Sequence, residues 1–519
     1  MIRICLAFFS AILLILSFPN FDLGFLAWIG LVPLLLAIKD KSLKVTLGLS
    51  YLTGIGFFLG VFFCINSVKG VTPLHYSALG LYLGLYFPLF GFFFYFISRK
   101  TKLPLVTITP VSWVAIEYLR SHAGFAALPM GLLGYTQHQN ISLIQMASFT
   151  GIYGVSFIIV LANAAIADLI GHWIDKRKNG EPFEMKTPPV FRGAVVLAMI
   201  LILWVVGYIS IPSALSGKPF PVAVVQGDIP SELKWEREYR DQILSKYENL
   251  TEEVLKLNPQ LIVWPEASTP GFVLKNMDLY QRMVTIVRRL NKHLIVGSAE
   301  YPKFSKTLMK GKKSGNTALF LSPEGKVLGQ YLKIYLIPFA EYVPYEGVIH
   351  WPKFIVSPSK NSHIAGTELT LFGIDGTKFS TLICSEMMFP DLSRCMVKKG
   401  AGFLINISNE GWFGKSAYPY QFLAICVFRA VENRVNVVRC TNTGISGFID
   451  PYGRVTGKVI KDGKDIFVEG TLTQEIFLSP PGTFYTRFGD IFAYACIAFS
   501  IGLVVWGFFR RNLPWAKTN

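Results

Sequence analysis

Long apolar runs joined by short basic connections constrain this chain most, because a stretch of ~20 apolar residues has few fates besides crossing a ~30 Å hydrocarbon layer. Such runs occupy residues 4–18, 23–38, 45–65, 76–98, 103–119, 141–170, 192–211 and 487–509, which predicts eight transmembrane helices. The first follows Arg3 in the manner of a signal peptide. No small-x-small cleavage site comes after it, and Ser17-Phe18-Pro19-Asn20 leads directly into the next run, so it reads as a retained helix. Hydrophobic residues make up 52 % of the 519 and charged residues 16 %, a membrane-protein balance. The apolar material lies at the two ends, and the middle has the charge density of a soluble domain.

The net charge of +17 does not point to nucleic acid, because no basic tract is interleaved with aromatics. The basic residues instead alternate in sidedness. Lys39, Lys41 and Lys44, then Arg99, Lys100 and Lys102, then Lys176, Arg177, Lys178, Lys186 and Arg192 fall on one side, together with Arg3, Arg510, Arg511 and Lys517. The short opposite connections offer little beyond Lys69 and Arg120. By the positive-inside rule both termini are cytoplasmic and the region between spans seven and eight lies outside, which in a two-membrane bacterium is the periplasm. The expected organisation is a seven-helix transmembrane domain at 1–215, a periplasmic catalytic domain at 216–482, and an eighth helix with a cytoplasmic tail at 483–519. Glu117 and Asp168 fall near span ends, where ionisable residues are ordinary. The polar, Gly-rich stretch around Pro129-Met130-Gly131 and Gln137 reads as an interfacial loop.

The middle region alternates strand-like and helical patterns. Val222–Gln226, Leu261–Trp264, His293–Val296, Thr317–Leu321, Thr381–Cys384, Phe403–Asn406 and Val435–Val438 are short and apolar, with amphipathic segments at 236–257 and 277–291. This predicts an α/β layered domain with buried strands, with two-residue hairpin turns at Glu324-Gly325 and Tyr452-Gly453. Seven cysteines form no C-x-x-C pair and no His/Cys cluster, so neither a zinc site nor a disulfide framework is expected. No metal and no other cofactor is implied.

Three strand ends carry residues suited to covalent acyl chemistry. Leu382 and Ile383 deliver Cys384 to a turn, where a following helix would favour the thiolate. Trp264-Pro265 holds the chain extended so that Glu266 emerges at the sheet's edge, and Gln330-Tyr-Leu ends in Lys333. A carboxylate can take the thiol proton, the thiolate can attack a carbonyl, and an ammonium can stabilise the oxyanion.

Trp264-Pro-Glu266, Lys333 ahead of Pro338-Phe-Ala-Glu-Tyr342, and Cys384-Ser-Glu386, in that order, resemble the nitrilase, or carbon-nitrogen hydrolase, superfamily. That resemblance implies an α-β-β-α sandwich and a Glu-Lys-Cys triad. Eight spans enclosing such a domain, with Gln226-Gly-Asp-Ile-Pro230, Trp235, Asn406-Ile-Ser-Asn-Glu-Gly-Trp-Phe-Gly414, Arg429-Ala-Val-Glu432 and Arg439-Cys-Thr-Asn-Thr-Gly444, resemble the apolipoprotein N-acyltransferase family over nearly the whole chain. The resemblance implies Glu266 as base, Lys333 as oxyanion stabiliser, Cys384 as nucleophile and Glu341 as a supporting carboxylate. Trp235, Ser385 and Glu386 match positions that shape the acyl and amine pockets. Two residues depart from the pattern: Ser385 stands where the family commonly has Tyr, and Met130 where it often has Trp.

The implied reaction moves an acyl chain from a membrane phospholipid through a Cys384 thioester to the N-terminal amine of a diacylated lipoprotein, catalysed by a monomer in the bacterial inner membrane. Reference pKa values of about 4.3 for a carboxyl and about 8.5 for a thiol leave a mismatch of roughly 6 kcal/mol that the site must narrow, and Lys333 is expected to lower the thiol. The same triad would also serve a membrane-tethered amidase, and a non-catalytic lipid-binding or transport protein is the third possibility. Tyr342, Tyr345, Val348, Ile349, Trp351, Phe354 and Ile355, and separately Trp412, Phe413, Tyr418, Tyr420 and Phe422, either pack on their own domain or form a lid that meets lipid.

Overall fold

The computed structural model describes all residues except 102, 183, 185, 186, 235, 302–313, 353–362, 479, 481 and 510–519. Of the expected topology-setting basic residues, Lys102, Lys186, Arg510, Arg511 and Lys517 therefore lie outside the described residues, as do Trp235, Phe354 and Ile355. The chain forms two compact units. One comprises Met1–Asn66, Val71–Ile211 and Phe488–Asn519, and the other Ser67–Gly70 with Pro212–Arg487.

In the first unit, five helices among the described residues are long and apolar enough to cross a membrane: Leu43–Val61, Pro73–Thr101, Ile152–Lys178, Pro188–Ser210 and Ile491–Phe509. The eight expected spans are thus only partly matched. Ile2–Leu16 has 15 residues, Leu105–Ser121 has 17, and the run from Gly24 to Ile38 is interrupted near Leu31. The expected span at 141–170 also differs. Two short helices, Ile141–Ile144 and Ala147–Thr150, stop at Gly151, whose φ of +65° no helix continues through, and the long helix begins at Ile152.

Backbone breaks in an apolar setting need substitute partners, and side chains in this unit supply them. Asn163 on the helix Ile152–Lys178 accepts from the Leu31 amide at 2.8 Å and donates to the Ala27 carbonyl at 2.8 Å, closing the interruption in Gly24–Ile38. Glu117, expected as an ordinary span-end charge, and Arg120, expected in a short connection, are both buried instead. Arg120 donates to the carbonyls of Leu128 and Met130 at 2.6 Å each and of Gly131 at 3.2 Å, while Glu117 accepts from the Leu133 amide at 2.8 Å. One turn of the helix Leu105–Ser121 thereby pins the Gly-rich connection, with Met130 buried inside it.

Among its described residues the second unit has twelve strands: β1 (Lys218–Gln226), β2 (Leu261–Val263), β3 (His293–Glu300), β4 (Gly315–Leu321), β5 (Val327–Leu332), β6 (Phe372–Ile374), β7 (Thr377–Ile383), β8 (Phe403–Ser408), β9 (Asn436–Thr441), β10 (Gly447–Ile449), β11 (Val455–Lys458) and β12 (Gly470–Leu478). They form two six-stranded sheets ordered β12-β1-β2-β3-β4-β5 and β11-β10-β9-β8-β7-β6. The sheets pack face to face through rings such as Phe220 on Phe403 (centroids 5.4 Å apart) and Phe320 on Phe379 (5.5 Å). Alternation along each strand sends the other side chains outward. Val225, Ile262, Trp264 and Val296 pack with Ile243, Tyr247, Met283 and Val287 of the helices Arg240–Leu255 and Met277–Leu290. The helices Pro390–Lys398 and Tyr418–Asn433 pack on the second sheet, which completes the expected α-β-β-α sandwich.

The expected hairpin turns need correcting. The hairpins at Glu324-Gly325 and Tyr452-Gly453 exist, but the loops are longer than two residues: each glycine, at φ +83° and +87°, ends the turn, with its amide bonded to the carbonyl of Ser322 or Asp450. Also, β12 has no apolar run to announce it, yet it pairs antiparallel with β1 from Lys218↔Leu478 to Gln226↔Gly470.

Candidate active site

β2 and β5 of the first sheet and β7 of the second end at one place, and each delivers one member of the expected triad. Glu266 lies just past β2, a central strand, so it stands at the end of the sheet rather than at its edge. Its carboxylate is held from both sheets. Oε1 accepts from the Asn316 side-chain amide at 2.6 Å, and Oε2 accepts from the backbone amide of Asn409 at 2.7 Å. The Glu266 backbone lies so close to β3 that a Cβ on Gly297 would come within 2.6 Å of its Cα and 2.4 Å of the Pro265 carbonyl. Only glycine permits that approach.

Lys333 follows β5 and is wholly buried. Its Nζ bonds both oxygens of Glu341, at 2.8 and 2.9 Å, and its amide donates to the Asn316 carbonyl at 2.9 Å. Asn316 therefore touches both Glu266 and Lys333. Burial disfavours the lysine's charge, but Glu341, then Cys384 and Glu266, outweigh it, and the ammonium is held more firmly than in water.

Cys384 follows β7 with φ +50°, a left-handed conformation unusual for a residue with a side chain. Its carbonyl accepts from the Asn406 side chain at 3.3 Å, and the same amide nitrogen reaches the Leu382 carbonyl at 3.2 Å. The thiol is not lowered as the sequence suggested. Burial, then the Glu266 carboxylate, push it up to about 12, against the pull of Lys333. The physical reason is local: Cys384 opens a five-residue 3-10 turn, not a long helix, so little N-terminal dipole offsets the desolvation. At rest the group is a thiol, and a base must remove its proton.

Glu386 is fully buried and turned to the backbone. Oε1 accepts from the Tyr331 hydroxyl (2.7 Å) and the amides of Ile334 (2.7 Å) and Tyr335 (3.1 Å), and Oε2 from the amide of Ile383 (2.7 Å). It ties the segment after Lys333 to the residue before Cys384. Burial pushes its carboxyl up to about 7, opposed by those amides. Ser385 is buried, and its hydroxyl has no hydrogen-bond partner among the described residues. In the two aromatic segments, Tyr345, Val348, Ile349 and Trp412 are exposed, whereas Tyr418 and Phe422 are buried on the helix Tyr418–Asn433 and belong to the domain's own packing.

Several residues of the site escaped the sequence reading. Asn316 sits in a strand with nothing to distinguish it. Asn406, Asn409 and Glu410 were visible as a motif but without roles. Arg439, buried, donates to Asn406 Oδ1 at 2.8 Å and to the Ile445 carbonyl at 2.9 Å and pairs with Glu410, so it supports the residue that holds the Cys384 carbonyl. Lys234 is also buried, with Nζ 3.2 Å from the backbone carbonyl of Glu266.

Known proteins match both units of the chain. The family model for the apolipoprotein N-acyltransferase N-terminal domain matches residues 10–165, and that for carbon-nitrogen hydrolase matches residues 221–478. An apolipoprotein N-acyltransferase of Geobacter metallireducens is 34 % identical, covering 98 % of this chain and 96 % of its own. Those of Pasteurella multocida and Haemophilus influenzae are each 28 % identical, covering 94 % and 98 % of this chain and 92 % and 95 % of their own.

Proposed function

Because the chain belongs to the apolipoprotein N-acyltransferase family, we propose that it transfers a fatty acyl chain from a membrane phospholipid, through a thioester on Cys384, to the N-terminal amine of a diacylated lipoprotein. The observation that carries the reading is the convergence of Glu266, Lys333 and Cys384 just past β2, β5 and β7, with Lys333 bonded by both oxygens of Glu341.

In the first half-reaction Glu266 takes the thiol proton as sulfur attacks the ester carbonyl. Lys333 donates to the developing oxyanion, which lowers the barrier because the donor is fixed before charge appears. Collapse breaks the ester C–O bond, Glu266 returns the proton to the departing alkoxide, and a lysophospholipid leaves. In the second half the lipoprotein amine attacks the thioester, Glu266 takes the amine proton, and the thiol re-forms. Splitting the transfer into two steps gives ping-pong kinetics. Glu341 keeps Lys333 charged and placed, and Glu386 keeps the two turns in register.

The finer organisation belongs to the same proposal. The apolar segments at 1–215 and 483–519 supply eight spans, the shorter ones crossing with their flanking turns, and the basic connections put the catalytic domain at 216–482 on the periplasmic side of a bacterial inner membrane. The protein acts as a monomer on lipid substrates. Mass spectrometry tests the function directly. Incubation with phospholipid should add an acyl mass to Cys384 that a diacylated lipopeptide discharges and water discharges only slowly. Rapid discharge by water would make the protein an amidase-type hydrolase, and absence of any adduct would make it non-catalytic.

A further inference from the structure

Lys234 has no part in the reaction described so far, yet it stands beside the base. It lies on the turn after β1, is 3 % exposed, and donates to the backbone carbonyl of Glu266 at 3.2 Å. Burying an ammonium costs several kcal/mol unless a charge partner repays it. Among the described residues no carboxylate is in ion-pair contact with Lys234, and its electrostatic partner is Glu266.

The other groups around Glu266 have commitments of their own. Asn316 and the Asn409 amide are neutral donors. Lys333 is bonded by both oxygens of Glu341, and Arg439 is paired with Glu410, whose carboxylate opposes that of Glu266. Cys384 is a thiol at rest, its pKa pushed up to about 12. Among the described residues, Lys234 is thus the buried cation near Glu266 that has no other acid to satisfy. Burial lowers it to about 7, with Glu266 opposing, so it is charged on the acid side of neutrality.

We propose that Lys234 is a positioning residue whose ammonium, tethered to the Glu266 carbonyl, keeps the Glu266 carboxylate seated to receive the Cys384 proton. This rests on the roles given to Glu266 and Cys384 under the proposed function. It differs from a packing role because it predicts a pH signature.

The test uses the detergent-solubilised full chain and two readouts across pH: acyl-adduct formation on Cys384 from dioleoyl phosphatidylethanolamine micelles, and alkylation of Cys384 by iodoacetamide, read by peptide mass. Lys234→Gln keeps a hydrogen-bond donor but no charge, Lys234→Met keeps only volume, and Lys234→Arg keeps the charge. With the Gln and Met variants both rates should fall ~10-fold near pH 6, where the parent's Lys234 ammonium is charged, and approach the parent's near pH 8.5, where it is not, while Arg behaves like the parent at pH 6. Equal slowing at every pH, or no change, would overturn the proposal, because packing alone does not follow the charge on Lys234. If the parent forms no acyl adduct, the proposed function fails, and the alkylation profile still decides for or against Lys234.

Discussion

Replacing Glu386 by Gln perturbs the site through one atom. In the parent both oxygens accept, Oε1 from Tyr331, Ile334 and Tyr335 and Oε2 from Ile383. The best amide orientation keeps the oxygen toward the three donors and turns its NH2 on the Ile383 amide, leaving two buried donors facing each other at a cost of ~1–3 kcal/mol. Against this stands the expense of burying the carboxylate. A carboxyl raised from 4.5 to about 7 costs the fold ~3 kcal/mol once it is ionised, at ~1.4 kcal/mol per unit. The two effects nearly cancel above about pH 8, so Glu386→Gln should unfold within ~2 kcal/mol of the parent there. Catalysis has no such compensation. The clash falls on Ile383, the residue before the nucleophile, and a displacement approaching 1 Å costs ~10²-fold in rate. Single-turnover formation of the Cys384 acyl adduct measures the rate, and thermal unfolding in detergent measures stability. The sign of the pH dependence adds a check. Between pH 4.5 and 7 the folded protein keeps a proton that the unfolded chain releases, so parent stability should fall as pH rises through that window, and the Gln variant should lack that component. An acylation rate within threefold of the parent would refute the idea that Glu386 sets the nucleophile's place.

The same geometry sets three other outcomes. Gly297→Ala would put a methyl 2.4 Å from the Pro265 carbonyl and 2.6 Å from the Glu266 Cα, so thioester formation should drop at least ~10-fold with ~1–3 kcal/mol lost in denaturant unfolding; normal rates would mean the base tolerates displacement. Lys333→Ala should cut acyl-adduct formation by at least ~10²-fold, and an intact single-turnover rate would remove Lys333 from the mechanism. Asn163→Leu strands the Leu31 amide and Ala27 carbonyl and should lower the thermal stability of the membrane unit by ~1–2 kcal/mol, measured by hydrogen exchange or melting in detergent.

The strand-end positions of Glu266 and Cys384 were legible because strand, turn and residue are consecutive in the chain. Leu261–Trp264 before Glu266 and Leu382-Ile383 before Cys384 announce both the strand and the residue it presents. The supporting groups were not legible, because their meaning lies in partners far away in sequence. Asn316 serves Glu266 from 50 residues off, Asn409 from 143, and Glu386 joins its own strand end to Tyr331, 55 residues earlier. The membrane segment shows the complementary failure. Hydropathy located the apolar runs but not the breaks at Leu31 and Gly151, since a helix can stop within lipid wherever a side chain such as Asn163 takes over the freed backbone groups.

Composition, apolar run length and the order of Trp-Pro-Glu, Lys and Cys-Ser-Glu therefore determined the membrane character, the α/β sandwich and the three strand-end residues proposed to react. All of these are properties of local chemistry that survive without knowledge of contacts. Only the tertiary structure decided the charge states and the geometry. Cys384, expected to be eased toward thiolate by a helix, is instead a buried thiol in a left-handed turn, because desolvation depends on everything packed around the sulfur. The same enclosure turns the Glu386 carboxylate to backbone amides and sets the Lys234 Nζ against the Glu266 carbonyl.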